Sequence, residues 1–143
     1  MLCKLPALSF SDPTLKEKVL DGSKRQTIRP LRKHPIKVGD ILFLFYKQRT
    51  EECKSLGLAV CTEVFKVKFS GDRYITNVRK VHSRGATGGL RFERELARRD
   101  GFSNTAWMFE WFHERYGKKL FKLTFQVIRW EEYRRRQTSA NSS

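Results

Sequence analysis

The chain has 143 residues, enough for one compact domain with a real core and too few for two. Only 39% of them are hydrophobic, yet eleven Phe and three Trp each bring a large apolar surface, so a folded domain with a heavily charged exterior is expected. Thirty Lys and Arg stand against fifteen Asp and Glu, a formal net charge of +15, and an excess of that size favours polyanionic partners through counterion release and steering.

Nucleic acid heads the list of such partners. A membrane partner is not expected: there is no long basic helix with a broad apolar face, and no apolar run approaches the roughly twenty residues of a span. The N-terminus lacks a signal-peptide apolar region, so the protein is expected to be intracellular (cytoplasmic, or nuclear in a eukaryote) and not secreted. Cys3, Cys53 and Cys61 are odd in number and contain no Cys-x-x-Cys pair, which reads as free thiols in a reducing compartment. His34, His82 and His113 are too scattered for a metal site, and no cofactor is expected.

In chain order, Leu5 to Phe10 reads as a first strand. Asp12 then suits a helix N-cap and Pro13 the first helical position, where its missing donor does no harm. Leu15, Val19 and Leu20 form the buried stripe of this helix, Lys16 and Lys18 face water, and Gly22 stops it. The stretch Asp21 to Pro30 follows, a turn running into an extended segment. Two-residue periodicity puts Thr27 and Arg29 on one face, with Lys24 at the start of the turn. A lysine, a hydroxyl and an arginine converging there would suit an anionic, hydrogen-bonding ligand; the alternative is an ordinary turn with solvated charges.

After the basic loop Arg32 to His34, Gly39-Asp40 marks a turn into Ile41 to Tyr46, whose continuous apolar run reads as a central strand covered on both faces. Lys47 to Lys54 is a polar loop, Leu58 to Phe69 a long alternating strand, and Arg73 to Val81 another strand. His82 to Gly89 is a glycine-rich loop whose Gly-Ala-Thr-Gly-Gly run matches no phosphate-loop signature. Arg91 to Arg99 reads as a charged helix, and a second helix opens at Ser103 or Asn104 with an aromatic stripe from Trp107 to Tyr116 that has core character. Leu120 to Trp130 is the final strand, and residues 131–143 form a basic tail expected to be disordered. One domain over residues 1–130 of α+β class follows, with five or six mostly antiparallel strands in a small barrel flanked by about three helices.

Gly22-x-Lys24-x-x-Thr27-x-Arg29, then Lys37-x-Gly39-Asp40 before an apolar strand, resembles the ASCH (activating signal cointegrator homology) domain, a PUA-like β-barrel. Leu96 to Phe102, the aromatic helix after it and a strand ending Val127 to Trp130 continue the resemblance, which covers residues from about 5 to 130. It implies a cleft at the helix-to-strand turn and a nucleotide or RNA ligand. Some members of the family are amidohydrolases that remove the acetyl group of N4-acetylcytidine with a Lys-x-x-Thr pair and a later glutamate. Lys24 and Thr27 match the pair, and Asp100 aligns with the third group as an aspartate. On that reading Thr27 is the nucleophile, Lys24 its base, and Asp100 polarises the leaving amine or holds Lys24. Other members are ribonucleases, and no catalytic set for that activity is matched here.

The leading expectation is a domain that binds RNA or another single-stranded nucleic acid. Lys24, Arg25, Thr27, Arg29, Arg32, Lys47 and Arg49 would provide its cleft and basic rim, and Tyr46 would stack on a base. Alternatives are the amidohydrolase acting on a modified nucleoside, a ribonuclease, and a non-catalytic interaction module.

Overall fold

The computed structural model describes residues 6–70, 75–77 and 89–133. Its elements are β1 (Ala7–Phe10), α1 (Pro13–Leu20), β2 (Gln26–Pro30), β3 (Ile41–Tyr46), β4 (Lys54–Phe69), β5 (Ile75–Asn77), α2 (Gly89–Asp100), α3 (Thr105–Tyr116), a 3-10 segment (Gly117–Phe121) and β6 (Phe125–Glu132). The strands form one mixed sheet in the order β1-β3-β4-β6-β2, with β5 added to β4. β1 and β3 are parallel and every other pairing is antiparallel. The sheet curls into a half-barrel, and with the three α-helices among the described residues the domain is of the α+β class expected.

Local chemistry sets the helix boundaries. Asp12 caps α1 by accepting from the Thr14 and Leu15 amides, and Asn104 caps α3 by accepting from the Trp107 amide. α2 ends in a Schellman motif: the Phe102 amide donates to the Ala97 carbonyl, the Gly101 amide donates to that of Arg98, and Gly101 takes φ +98°. That motif leaves Asp100 at the helix end facing the sheet.

A β-bulge divides the core in two. Before it, Ala59 and Cys61 of β4 pack with Leu8, Phe10, Leu42, Leu44, Ile128 and Trp130 inside the curl, closed off by Val19 of α1. Between Cys61 and Glu63 the register against β6 shifts, and from there Phe65, Val67 and Phe69 point the other way, onto α2 and α3. Without the extra residue the apolar side chains would all lie on one face. β6 serves both cores, Phe125 and Val127 on one side and Ile128 and Trp130 on the other.

Several sequence expectations are corrected here. The strand covered on both faces is β6; β3 is interior in the sheet but alternates buried with half-exposed residues, and Phe43 and Phe45 stack on its open face. Leu20 is 54% exposed and does not belong to the buried stripe of α1. Lys18 does not face water freely, because its ammonium donates to the Gly101 carbonyl and lies over Trp107. Lys16 is likewise drawn over the Tyr46 ring. The final strand begins at Phe125, since Leu120 is buried within the 3-10 segment, and it continues through Glu132. β4 starts at Lys54, earlier than its alternation indicates. The rest of the expected Arg73–Val81 strand, most of the glycine-rich loop, Cys3 and the tail from residue 134 lie outside the described residues.

Candidate nucleotide pocket at the sheet seam

The two outermost strands of the sheet path, β1 and β2, meet through side chains. The Pro6 and Phe10 carbonyls accept from β3 and the residue after it, while the Ala7 and Ser9 carbonyls accept from Arg32 and Arg29. Arg29 Nη2 reaches Ser9 O at 2.6 Å and Arg32 Nη2 reaches Ala7 O at 2.7 Å. Guanidinium groups thus satisfy edge carbonyls that a further strand would otherwise bond.

Beside this seam lies a pocket of about 50 Å³. β2 contributes Thr27 and Arg29, the turn before it Lys24, the end of α2 Asp100, and the end of β1 Ser9 and Phe10. α3 closes the far side with Trp111, Arg115 and Tyr116. The volume holds a few water molecules. It has room for one functional group, and the half-buried Trp111 and Tyr116 stand at its wall.

Lys24, Thr27 and Asp100, which are 24, 27 and 100 in a chain with no local link between the first two and the third, line this one pocket and are all buried. Lys24 Nζ donates to the Asp100 carbonyl oxygen at 2.6 Å and lies 3.2 Å from Asp100 Oδ2. Cations at a helix C-terminus are favoured by its orphan carbonyls and dipole, and Lys24 and Lys18 both bond there. Burial pushes the Lys24 ammonium below the ordinary lysine value; the charge and hydrogen bond of Asp100 oppose the shift, and Arg29 and Lys18 add to it.

Arg29 Nε donates to Thr27 Oγ1 at 2.9 Å, which confirms that the two side chains share a face of β2. Its guanidinium stacks over Phe10, 4.9 Å from the ring centre, and Lys24 Nζ is 5.7 Å from the same centre. Burial lowers Arg29 to about 10, so it stays cationic at neutral pH. The Thr27 oxygen is an acceptor in this bond, which leaves its proton available to a ligand or a base. Among the described residues no hydrogen bond joins Lys24 to Thr27, and Lys24 is engaged with Asp100.

A polar row, buried at Gln26 and Arg129 and exposed at Glu63, holds Asp100 from behind, and sequence reading did not single it out. Glu63, Arg129 and Gln26 are cross-strand neighbours on β4, β6 and β2. Arg129 donates to Glu63 Oε1 and to Gln26 Oε1, both at 2.9 Å, and Gln26 Nε2 donates to Asp100 Oδ1 and to the Leu96 carbonyl, both at 3.0 Å. Gln26 was unremarkable in sequence because its role depends on register with a strand about a hundred residues away.

The other expected ligand residues lie elsewhere. Arg25 is exposed and lines a different groove with Trp130 and Tyr133. Arg32 is at the seam but bonds the backbone. Tyr46 is buried beneath Lys16 and does not line the pocket; Phe10, Trp111, Phe112 and Tyr116 are the aromatic rings that do. Lys47 and Arg49 sit in a loop with positive φ, and Lys47 pairs with Glu52 at 3.1 Å. The helical aromatic stripe was read as core, and Phe112 is; its Trp111, Arg115 and Tyr116 edge faces the pocket as well.

No protein-family model and no curated protein matches the sequence. Among solved structures, the crystal structure of ASCH from Zymomonas mobilis is similar at a TM-score of 0.50 and 10% identity, over 90% of this chain and 67% of that one. The chain has the ASCH fold. Within the ASCH fold of this chain, the Lys24 turn, the Asp100 helix end and the seam between β1 and β2 converge on one small polar pocket with an aromatic wall. No helix among the described residues is long and apolar enough to cross a membrane.

Proposed function

We propose that this chain binds RNA or another single-stranded nucleic acid and that the seam pocket takes one group of a nucleotide from the strand. The supporting observation is the pocket itself: Lys24, Thr27, Arg29 and Asp100 offer donors and acceptors beside Phe10, Trp111 and Tyr116, in a chain carrying +15. About 50 Å³ cannot enclose a nucleotide, so most of the affinity for a polymer must come from the basic surface outside. Base stacking on exposed aromatic edges is worth about 1–3 kcal/mol per base and tolerates any base. Titration of a labelled oligouridylate by fluorescence anisotropy, repeated over a range of salt, tests the proposal. Steep weakening with salt is expected; no binding at modest salt overturns it.

A second reading has its own observation. Lys24, whose pKa burial lowers, lines the same pocket as the Thr27 hydroxyl held by Arg29, the pair of groups that a lysine-activated hydroxyl nucleophile uses. On this reading Thr27 Oγ1 attacks the acetyl carbonyl of an N4-acetylcytosine, and Lys24 takes its proton and returns it to the departing exocyclic amine. Water then attacks the acyl-threonine, giving acetate and free Thr27. Lys24 would have to turn from Asp100 toward Thr27. Release of acetate from N4-acetylcytidine that is lost in both Lys24→Ala and Thr27→Ala is expected, and turnover that survives both dismisses the reading.

A further inference from the structure

The face of α2 that points away from the core carries arginines alone at three consecutive turns. At 100° per residue, Arg91, Arg94 and Arg98 fall within an arc of about 60°. That arc lies opposite Glu93, Leu96 and Asp100, which are buried. All three arginines are exposed, and none has an ion pair or side-chain hydrogen bond among the described residues. They line a groove of about 720 Å³ whose other wall is Phe102, Ser103, Asn104 and Thr105. The carboxylate in that groove, Glu95, is committed to Arg129 at 3.7 Å and Arg99 at 3.9 Å. The groove and the seam pocket flank the same segment, since Asp100 lines one, Phe102 the other, and Phe102 packs on Trp111 of the pocket wall.

We infer that this arginine face is the backbone track for the strand: Arg91, Arg94 and Arg98 hold successive phosphodiesters of a single-stranded RNA while the neighbouring pocket takes a group of one nucleotide. The inference rests on the RNA-binding reading above. Arginine suits the task because its planar fork bonds phosphate oxygens in pairs. The three positions span about 10 Å of helix, a length over which one stacked strand presents about three phosphates. Across the groove the Ser103 and Thr105 hydroxyls can bond the ribose, whose 2′-hydroxyl is both donor and acceptor. Three like charges on one exposed stripe repel each other in the free protein, and a polyanion relieves that repulsion.

The test is the salt dependence of oligouridylate binding for the full chain and for the triple variant Arg91→Gln, Arg94→Gln, Arg98→Gln. Each phosphate contact contributes about 0.7 to the slope of log affinity against log salt for a single strand, so the triple variant should lose about 2 from the slope. Circular dichroism should be unchanged, because these side chains touch nothing in the core. A triple variant with the wild-type slope overturns the track and leaves RNA binding in place; a wild-type chain that binds no RNA removes both readings. If the triple change abolishes binding of a poly-glutamate peptide and leaves the RNA slope intact, the face belongs to an acidic protein partner and the inference fails.

Discussion

The guanidinium of Arg29 bonds the carbonyl of Ser9 at 2.6 Å and in doing so joins β2 to β1 where no backbone ladder runs. The same side chain holds the Thr27 hydroxyl at 2.9 Å. One residue therefore shapes the seam and presets the polar floor of the pocket. Arg29→Lys keeps the charge and loses the fork, so at most one of the two bonds survives. Hydrogen bonds to charged groups are worth about 1.5–3 kcal/mol, and a loss of about 2 kcal/mol in urea unfolding is expected. A lysine variant as stable as wild type would mean that the seam does not depend on the fork.

Lys24 and Asp100 form a pair buried to 1% and 5% side-chain exposure. Removing one partner of such a pair costs about 3–5 kcal/mol because the other charge stays behind, whereas replacing both with apolar groups can be neutral. Lys24→Met should be strongly destabilising, and Lys24→Met with Asp100→Leu should recover part of the loss. Denaturant midpoints for the four members of the cycle measure the coupling. Additive losses would show that the two side chains act independently.

The pH dependence of stability carries the sign of Lys24. Its folded value lies below the 10.5 of a free lysine, so the unfolded chain binds the proton more tightly. Stability gains with rising pH between the folded value and 10.5, is complete above it, and is lost as pH falls through the folded value. Arg29, lowered by burial to about 10, adds a gain of the same sign at still higher pH. Measured from neutral to about pH 10, the urea midpoint of wild type should rise relative to that of Lys24→Met. A constant gap between them would contradict the direction of the Lys24 shift.

Gly101 is irreplaceable for two reasons that act together. Its φ of +98° is strained for any other residue, and an added Cβ would stand 3.0 Å from Leu15 Cδ2, 3.3 Å from Lys18 Cδ and 3.5 Å from Lys24 Cδ. Gly101→Ala should cost about 1–3 kcal/mol, lower the melting temperature by several degrees, and shift the Lys24 turn away from Asp100. Thermal unfolding checks the first effect. Weakened oligouridylate binding by a variant still folded at the assay temperature checks the second.

Much of the fold was legible in local pattern because its signals are local. Asp12 before Pro13 and Asn104 before the aromatic helix are caps whose chemistry acts over two or three residues. The alternation of β4 from Val64 to Phe69 and the shared face of Thr27 and Arg29 follow from the pleat. The bulge after Cys61 left no such trace, since an extra residue changes which core a side chain meets and not which residue types appear. β3 misled for a related reason: an unbroken apolar run reports hydrophobicity, and only the neighbouring layers decide how many faces are covered.

From the sequence came the charge excess and the turn bearing Lys24, Thr27 and Arg29, and its resemblance to the ASCH domain added the expectation that Asp100 belongs with them. Folding decided what these groups do to one another. Lys24 meets Asp100 across 76 positions of chain, Gln26 meets Arg129 across 103, and Arg29 and Arg32 turn back onto the β1 backbone. A side chain's type and spacing are written locally, but the water it loses and the partner it gains depend on segments brought together by packing. Those two quantities shift the pKa of Lys24 and fix the hydrogen bond that Thr27 accepts, so the chemistry of the pocket belongs to the tertiary structure.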